Sequence, residues 1–540
     1  MSVVAVLLLV GVTTSASAAP RLRPEGPRPC TDREHPGGSW TGLNADLGNS
    51  RTQPAETTIG PAEAGALRPA WSFAAASVGA TGGMRSTPVV AGGCVYLTFG
   101  QGYLGDQGDV VALDADTGEL VWHRTLDGSV LGLAVSDGLV FVTPSKGTRG
   151  EVALPVVTDT YQPAGSFAVA LDASTGADRW TSARLDNGVA GNGTFINASP
   201  VVFRAGGKRL VFVPLAGGSG DGARVPMYFL DAKDGTTVKR SLSLTEQEYA
   251  EGFGGTGIWS TAAFDPQTNH LYAGTADSDG RSRQHPYNNA LLRIDADPRR
   301  STFGTVVGAY SGISEHADLD DVIGYPNNPA CGALGDTTGT DLPTFFDTSA
   351  AAECGELDLD FGASPNLYRA SDGKTVVAAM QKAGVFHAVS TETMAARWRI
   401  FAGPGGPAMH SATAAVDETG IHVGASPDLV LDLGRDTGDL DWASSTGLDA
   451  FAYQPISAAH GVLYALNDSG SLLGLDAENG LPVLQRDVAS DGGFGNCLGV
   501  GAGVAVAHHT VFAPCDAGGT VDLAGVPSNP GGLVAYRVAS

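Results

Sequence analysis

The sequence predicts an all-β protein, an eight-bladed β-propeller, and three observations support this fold class. A ten-residue pattern that begins as LDADTGELVW at Leu113 recurs along the chain. A short apolar or alternating run precedes each copy, and a polar extended segment follows it. Hydrophobic residues make up 43% of the 540 residues, and 75 Gly and 30 Pro are spread throughout, which suits many short strands joined by turns around a buried core.

The copies share one register and predict a strand, a tight turn and a second strand. Six further copies are LDASTGADRW at Leu171, LDAKDGTTVK at Leu230, IDADPRRSTF at Ile294, VSTETMAARW at Val389, LGRDTGDLDW at Leu433 and LDAENGLPVL at Leu475. In the full pattern, Asp opens the turn by accepting backbone hydrogen bonds, Thr supports it, and Gly takes a positive φ. We expect the Trp to pack between neighbouring units.

Upstream of the turns, a second hairpin brings each unit to about four strands, as in a propeller blade. Its runs include STPVVAGGCVYLTFG, ASPVVFRAGGKRLVFVP and STAAFDPQTNHLYAGT. The turn positions 114, 172, 231, 295, 390, 434 and 476 give units of 42 to 95 residues. The C-terminal runs VAVAHHTVFAPC and GLVAYRVAS lack their turn and Trp, and LRPAWSFAA at Leu67 could complete that blade and close a ring of eight.

The chain divides into a leader, an extension and the propeller. We expect residues 1–18 to be a signal peptide, because their apolar run is too short to span a bilayer and Ala16-Ser17-Ala18 is a plausible cleavage site. Residues 19–60 form an N-terminal extension, and residues 61–540 form the propeller with an insertion at about 305–357. A secreted location follows.

Six cysteines in an exported chain favour disulfides. Proximity pairs Cys331 with Cys354 and Cys497 with Cys515, which leaves Cys30 with Cys94.

The charge and the missing motifs exclude several classes of function. A formal net charge of -25 repels phosphate backbones and anionic lipid, so nucleic acid and membrane insertion are poor expectations, whereas a small neutral ligand or a cation fits. No GxSxG, Walker loop, CxxC or CxxCH occurs, which removes the usual signals of a serine hydrolase, a nucleotide-binding loop, a thiol redox site and attached haem.

The repeat, together with SWTGLNADLGNSR before the first blade, resembles the quinoprotein alcohol dehydrogenases, most closely their polyvinyl-alcohol dehydrogenase branch. The resemblance covers about Trp40 to the C-terminus and implies a propeller of that type, with pyrroloquinoline quinone (PQQ) and calcium on its axis. In GTGIWSTAAFDPQTNHLYAGTAD, Trp259 matches the Trp on which the quinone stacks, although it could instead fill a blade interface.

Two acidic residues match calcium-binding positions of that family. Asp277 stands where the family has the Asn of a Gly-Thr-Gly-Asn turn, and it keeps an oxygen ligand, although TADSDG could also be a solvated loop. Asp221 lies one residue from the position of a family Glu ligand. The adjacent Cys pair that covers the quinone in the family is absent.

The segment DLDFGASP resembles the family segment that carries the catalytic carboxylate, and Lys382 follows it where the family has a cation. The resemblance implies that Asp360 binds calcium and takes the proton of the alcohol while hydride passes to the quinone, and that Lys382 stabilises the developing negative charge. Asp360 could alternatively cap a turn at a strand end.

These features predict a secreted PQQ- and calcium-dependent dehydrogenase. Its substrate would be a small or polymeric alcohol, with a polyol and polyvinyl alcohol as the candidates. Electrons would leave to an external acceptor such as a separate cytochrome. The alternative is a non-catalytic propeller that serves as a binding or assembly scaffold.

Overall fold

A computed structural model gives the fold of the chain. It describes residue 30 and residues 35–539, except 81, 85, 101–103, 150–160, 189–192, 218–223, 277–284, 313–359, 383, 404–411, 426–427, 446–454, 468, 496, 498–501 and 518–528. The predicted signal peptide, Cys331, Cys354 and most of the predicted insertion therefore lie outside the described residues.

Eight antiparallel sheets of four strands form the blades of the propeller, and the predicted fold class is confirmed. Blades 1 to 4 comprise Val89–Ala91, Cys94–Gly100, Gln107–Asp114 and Leu120–Asp127; Leu133–Ser136, Leu139–Val142, Val169–Asp172 and Asp178–Thr181; Val201–Ala205, Lys208–Pro214, Pro226–Asp231 and Thr237–Leu242; and Ala263–Asp265, His270–Gly274, Ala290–Asp295 and Val306–Ser311. Blades 5 to 8 comprise Asn366–Arg369, Thr375–Met380, Val385–Ser390 and Ala396–Phe401; Ala415–Val416, Ile421–Ala425, Leu429–Leu433 and Leu440–Ser445; Ser457–Ala459, Val462–Leu466, Ser471–Asp476 and Pro482–Asp487; and Ala505–Ala507, Thr510–Ala517, Asn529–Val538 and Leu67–Ala74.

Within a blade the first strand is the inner one, and the fourth, with alternating exposed residues, is the outer one. Minor strands form a hairpin, a short pair and one parallel addition to blade 7: Ser145–Arg149 with Tyr161–Ser166, Thr194–Phe195 with Ala216–Gly217, and Thr52–Gln53. The described helices are short: Pro61–Ala64, Glu246–Ala250, Val488–Gly492 and the 3-10 turn Ala75–Val78. None of the helices in the described part of the chain is long and apolar enough to cross a membrane.

The turn between the third and fourth strands has the predicted chemistry. In blade 1, Asp114 Oδ1 accepts hydrogen bonds from the amides of Asp116 and Thr117 at 3.0 and 2.9 Å, and Gly118 takes a φ of 74°. The Trp of one blade then covers the turn Gly of the next. Trp122 donates its Nε1–H to Ala173 O at 2.9 Å and lies against Gly176, where a Cβ would meet the indole at 2.7 Å. The repeated spacing of the turn and the Trp along the chain therefore reflects a contact between neighbouring blades.

Five of the seven Trp residues make this contact. They are Trp71, Trp122, Trp180, Trp398 and Trp442. Trp40 and Trp259 lie elsewhere, at the propeller axis and in the candidate site described below.

The N-terminal strand closes the ring, as the sequence predicts. Leu67–Ala74 pairs antiparallel with Asn529–Val538 and becomes the outer strand of blade 8. Trp71 from this strand donates to Ala115 O at 3.3 Å and covers Gly118 of blade 1. The two ends of the chain thus complete one blade and supply its contact with the next.

A segment of the predicted N-terminal extension runs through the axis of the propeller. Its residues 40–53 hydrogen-bond to the inner strands of seven blades. The backbone bonds, at 2.7 to 2.9 Å, are those from the amides of Val90, Val135, Phe264, Leu367, Val416 and Ala458 to Trp40, Thr41, Leu47, Gly48, Ser50 and Arg51. Gln53 adds a side-chain bond to Val506 O in blade 8. We call residues 40–53 the axial segment.

Arg51 anchors the axial segment with a fully buried guanidinium. It donates to Ile456 O at 2.7 Å, to Ser457 Oγ at 2.8 Å and to Asn44 Oδ1 at 3.0 Å. Further donations to Leu43, Thr87 and Val504 complete its contacts, and it lies 5.5 Å from the ring centroid of Trp40. A single side chain therefore joins the extension to blades 1, 7 and 8.

Hydroxyl groups that precede the inner strands join neighbouring blades near the axis. The amide of Ser199 donates to Thr261 Oγ1, that of Thr261 to Ser364 Oγ, and that of Ser364 to Thr413 Oγ1, each at 3.1 Å. Gly503 makes the same bond to Thr87 at 3.2 Å. We call these hydroxyl residues the hydroxyl belt.

Two of the predicted disulfides are confirmed. Cys30–Cys94 ties the extension to blade 1, and Cys497–Cys515 lies in blade 8. The predicted insertion at about 305–357 needs one correction at its start. Val306–Ser311 pairs with Ala290–Asp295 as the outer strand of blade 4, because it continues the antiparallel ladder, so the insertion begins after this strand.

Candidate functional site

Three of the residues singled out from the sequence converge on one face of the propeller. Trp259 precedes the inner strand of blade 4, Asp360 precedes that of blade 5, and Lys382 lies in the loop between the second and third strands of blade 5. Loops of these two kinds emerge at the same end of a blade, so they can meet across the boundary between blades 4 and 5. The hydroxyl belt lies beneath, at Thr261 and Ser364.

The carboxylate of Asp360 is the centre of the cluster. Its Oδ2 accepts a hydrogen bond from Trp259 Nε1 at 2.8 Å and pairs with Lys382 Nζ at 3.2 Å. The Lys382 amide also donates to Asp360 O at 3.0 Å. Lys382 Nζ lies 5.1 Å from the centroid of the Trp259 ring, a cation–π distance. The side chains of Asp360 and Lys382 are each only 9% exposed, so the pair is held largely away from water.

The loop that precedes the inner strand of blade 4 positions Trp259 and is strained. Thr256, three residues earlier, has a φ of 64° although it is β-branched, and it is 2% exposed. Its hydroxyl hydrogen-bonds to that of Ser243, and the amide of Ile258 donates to Leu215 O at 2.9 Å. Backbone strain of this kind persists only where surrounding contacts enforce it, and it is concentrated at functional sites.

Trp259 itself is half-buried. The indole packs with Leu104, Phe195 and Ala216, which come from blades 1 to 3. These contacts identify its location as the central end of the loops rather than the outer blade interface where the docking Trp residues lie.

A buried polar chain behind Lys382 was missed by the sequence reasoning. His387 Nδ1 lies 3.0 Å from the Tyr310 hydroxyl, and its Nε2 lies 3.1 Å from Gln381 Oε1. Burial, and then the charge of Arg399, lower the pKa of His387 to about 3, so the ring is neutral. This row of hydrogen-bonded side chains joins the outer strand of blade 4 to Gln381, the residue next to Lys382. It depends on contacts between two blades, and the only sequence signal was a His within an apolar strand.

The predicted calcium ligands Asp277 and Asp221 lie outside the described residues. Among the residues that the structure describes, no group of three or more His, Cys, Asp or Glu side chains could hold a metal ion. The remaining predicted ligand, Asp360, is already paired with Lys382. The described residues therefore do not by themselves make a calcium site.

The same surroundings do fit a planar, anionic quinone. Trp259 supplies an aromatic face and Lys382 a cation. Two neighbouring polar atoms in the described chain are buried without a hydrogen-bond partner, Gln381 Nε2 and Ser260 Oγ, next to Lys382 and Trp259 in sequence. Buried atoms of this kind are usually satisfied by a ligand, water or ion. A planar group stacked on Trp259 would share the ring with Lys382 or displace it.

Comparison with known proteins identifies the family of the chain and structures that share its fold. The family model PQQ_2, described as outer membrane protein assembly factor BamB, matches residues 62–218 and 332–524. The quinohemoprotein alcohol dehydrogenase from Comamonas testosteroni has the same fold, with a TM-score of 0.65 and 16% sequence identity, over 93% of this chain and 80% of that one.

Two curated relatives are both named polyvinylalcohol dehydrogenase. The protein from Sphingopyxis sp. (strain 113P3) is 22% identical over 395 residues, which cover 66% of this chain and 49% of the relative. The protein from Pseudomonas sp. is 23% identical over 542 residues, which cover 92% of this chain and 72% of the relative. This chain thus spans about half the length of the first relative, and its homology to both is distant.

Proposed function

This chain belongs to the PQQ_2 family, and on that premise we propose that the cluster of Trp259, Asp360 and Lys382 is the catalytic centre of an alcohol dehydrogenase that uses pyrroloquinoline quinone. The observation that carries the proposal is the contact of one buried carboxylate with both an indole N–H and an ammonium group. A merely structural role would need no such assembly at the end of three loops.

The side chains have separate tasks in this proposal. Trp259 and Lys382 would hold the quinone, which when bound accepts the hydride from the carbon of the alcohol. Asp360 Oδ2 accepts the proton of the alcohol hydroxyl, and the N–H of Trp259 fixes the direction of that carboxylate. Lys382, whose Nζ lies 3.2 Å from the same oxygen, would offset the negative charge that develops on the quinone.

The proposal has three further parts, which are a calcium ion, an external electron acceptor and export from the cytoplasm. Calcium, with Asp277 and Asp221 as further ligands, and an external electron acceptor such as a cytochrome both belong to the proposal. So does export from the cytoplasm, which is supported by the disulfides Cys30–Cys94 and Cys497–Cys515, since such bonds persist in oxidising compartments.

The test is a titration of the purified protein with PQQ and calcium, followed by absorbance and by dye reduction with secondary alcohols. We expect saturable binding and alcohol-dependent reduction. Asp360→Asn should keep quinone binding but lower the rate by about 10²- to 10⁴-fold, because it removes the proton acceptor. Lys382→Met should lower the rate and, unlike Asp360→Asn, should also weaken quinone binding.

The matched control is Asp372→Asn on the same blade, whose carboxylate is exposed and paired with Arg397. It should leave the rate unchanged. Full activity in Asp360→Asn, or no absorbance change with PQQ and calcium together, would overturn the proposal.

The second candidate is a non-catalytic binding or assembly scaffold, and the description of the family model favours it. The missing adjacent Cys pair also suits a propeller without quinone. This candidate offers no reason for the strained loop or the buried ion pair, so we rank it second.

A further inference from the structure

Asn49 of the axial segment joins the two loops that carry Trp259 and Asp360. Its side-chain nitrogen donates hydrogen bonds to Thr261 O in blade 4 and to Pro365 O in blade 5, each at 2.9 Å. Thr261 follows Trp259 by two residues, and Pro365 ends the loop that begins at Asp360. Asn49 is buried, so water does not compete for either bond.

The contact between Trp259 Nε1 and Asp360 Oδ2 crosses the boundary between blades 4 and 5. In the part of the chain that the structure describes, these blades form separate sheets, so no strand ladder fixes one loop against the other. Links near the inner strands include the bond from the Thr261 amide to Ser364 Oγ and the two bonds of Asn49. The bonds of Asn49 end on main-chain oxygen atoms, so they hold the two backbones themselves.

The residue type at position 49 fits this task. A carboxamide carries two N–H donors on one planar group, whereas a carboxylate carries none. The φ of Asn49 is 56°, in the left-handed region that Asn tolerates better than most residues other than Gly. Asn49 therefore supplies both the backbone conformation and the pair of donors that the bridge needs.

A row of buried side chains fixes the orientation of the Asn49 amide. The guanidinium of Arg51 can only donate, and its Nη1 lies 3.0 Å from Asn44 Oδ1. The other end of that amide, Asn44 Nδ2, donates to Asn49 Oδ1 at 3.3 Å. The nitrogen of Asn49 therefore faces the two carbonyl oxygens, and the row extends from Arg51 to the loops of blades 4 and 5.

We infer that Asn49 is a positioning residue of the candidate site, which holds the indole of Trp259 and the carboxylate of Asp360 at the distance of their contact. Its effect on catalysis rests on the proposed function. Asn49 acts through the two loops and not by contact with the reacting groups, and it makes the N-terminal extension a part of the site. Displacement of a reacting group by about 1 Å can lower a rate by about 10²-fold.

The Nε1–H of Trp259 reports on this distance without turnover. Its proton resonance in isotope-labelled protein depends on the hydrogen bond to Asp360 Oδ2, and Trp259→Phe identifies the signal among those of the seven Trp residues. Asn49→Gly keeps the positive φ and removes the amide. We expect this variant to shift the resonance upfield, because the hydrogen bond lengthens.

The matched control is Gln53→Ala in the same segment. The Gln53 amide also donates to two carbonyl oxygens, Ser39 O at 2.8 Å and Val506 O at 3.2 Å, but it does so at blade 8. A general loosening of the axial segment would affect both variants alike, so Gln53→Ala should leave the resonance in place. Asn44→Ala provides the same measurement should Asn49→Gly fail to fold, because it keeps Asn49 and removes the side chain that orients its amide.

Steady-state kinetics add the catalytic arm of the test. Under the proposed function, Asn49→Gly should lower kcat by about tenfold or more, and Gln53→Ala should change it by less than about twofold. A shifted resonance in Asn49→Gly, in a protein that oxidises no alcohol, would retain the positioning role and reject the dehydrogenase. An unshifted resonance, an equal shift in Gln53→Ala, or an unaltered kcat in an active enzyme would reject the positioning role alone.

Discussion

His422 is a buried histidine of blade 6 that lies between two carboxylates. Its Nε2 lies 3.3 Å from Asp417 Oδ1, its Nδ1 lies 3.1 Å from Asp432 Oδ1, and the Trp442 ring stacks at 6.5 Å. Burial lowers the pKa of His422, but the interaction with the two carboxylates outweighs it and raises the pKa to about 9. The ring is therefore a cation at neutral pH.

This cation makes stability depend on pH. Because the folded pKa of about 9 exceeds the ordinary 6.5, the stabilisation is fully present below pH 6.5 and is lost as the pH rises through 9. The difference corresponds to about 3 kcal/mol. Urea unfolding at a series of pH values should show the free energy of unfolding decline across this window.

His422→Gln should lower the stability at pH 7 and remove the decline, whereas substitution of the exposed His460 by Gln should preserve it. An unaltered pH profile in His422→Gln would refute the role given to this ring.

The residues of the candidate site were predictable to different extents. Trp259, Asp360 and Lys382 could be selected from the sequence because each stands in a motif whose neighbouring residues identify its loop. The structure brings the three side chains together. Gln381 and His387 were not predicted, since their contacts join strands of different blades and no local pattern encodes them. The positive φ of Thr256 could not be predicted, because a β-branched residue ordinarily indicates a negative φ.

At the scale of single elements, the axial segment depends on Arg51. Its guanidinium is fully buried and bonds to carbonyl and hydroxyl oxygens of the segment and of three blades. Arg51→Met would leave several of these acceptors buried without partners. We expect the free energy of unfolding to fall by about 3 kcal/mol or more.

Chemical denaturation followed by intrinsic fluorescence measures this loss. Arg68→Met is the matched variant, because the exposed Arg68 bonds to the nearby carbonyls of Gly65 and Leu67. It should change stability by less than about 0.5 kcal/mol. Comparable losses in the two variants would mean that Arg51 is not the anchor of the segment.

The position of this segment could not be predicted from the sequence. The bonds from the amides of the inner strands to this segment use backbone groups on both sides, which leave no trace in residue type, and the side-chain bonds of Asn49, Arg51 and Gln53 join residues far apart in the sequence. The blade turns, by contrast, use Asp, Thr and Gly side chains and backbone conformations that recur visibly, so the strands around them were predicted correctly.

At the scale of the whole molecule, the two chain ends close the ring with the same contact that joins the other blades. Trp71 on the N-terminal strand covers Gly118, as Trp398 of blade 5 covers Gly438 of blade 6. Both indoles are half-buried, and both donate Nε1–H to a turn carbonyl, at 3.3 and 3.2 Å.

Trp71→Ala and Trp398→Ala should therefore destabilise the protein by similar amounts, about 3 kcal/mol each. Both should give one cooperative transition in differential scanning calorimetry. A separate early transition in Trp71→Ala alone would show that the closing blade unfolds independently of the ring.

The axial segment also determines how molecules reach the candidate site. It bonds to the inner strands at Phe264 and Leu367, a few residues beyond Trp259 and Asp360 in the sequence. The axial segment therefore occupies the propeller axis beneath the site. Under the proposed function, the loop face that carries Trp259 and Asp360 is therefore the route to the site. Alcohol, oxidised product and electron acceptor would then all use this face. Oxidation of the alcohol and reoxidation of the quinone would therefore alternate rather than proceed from opposite ends of the propeller axis.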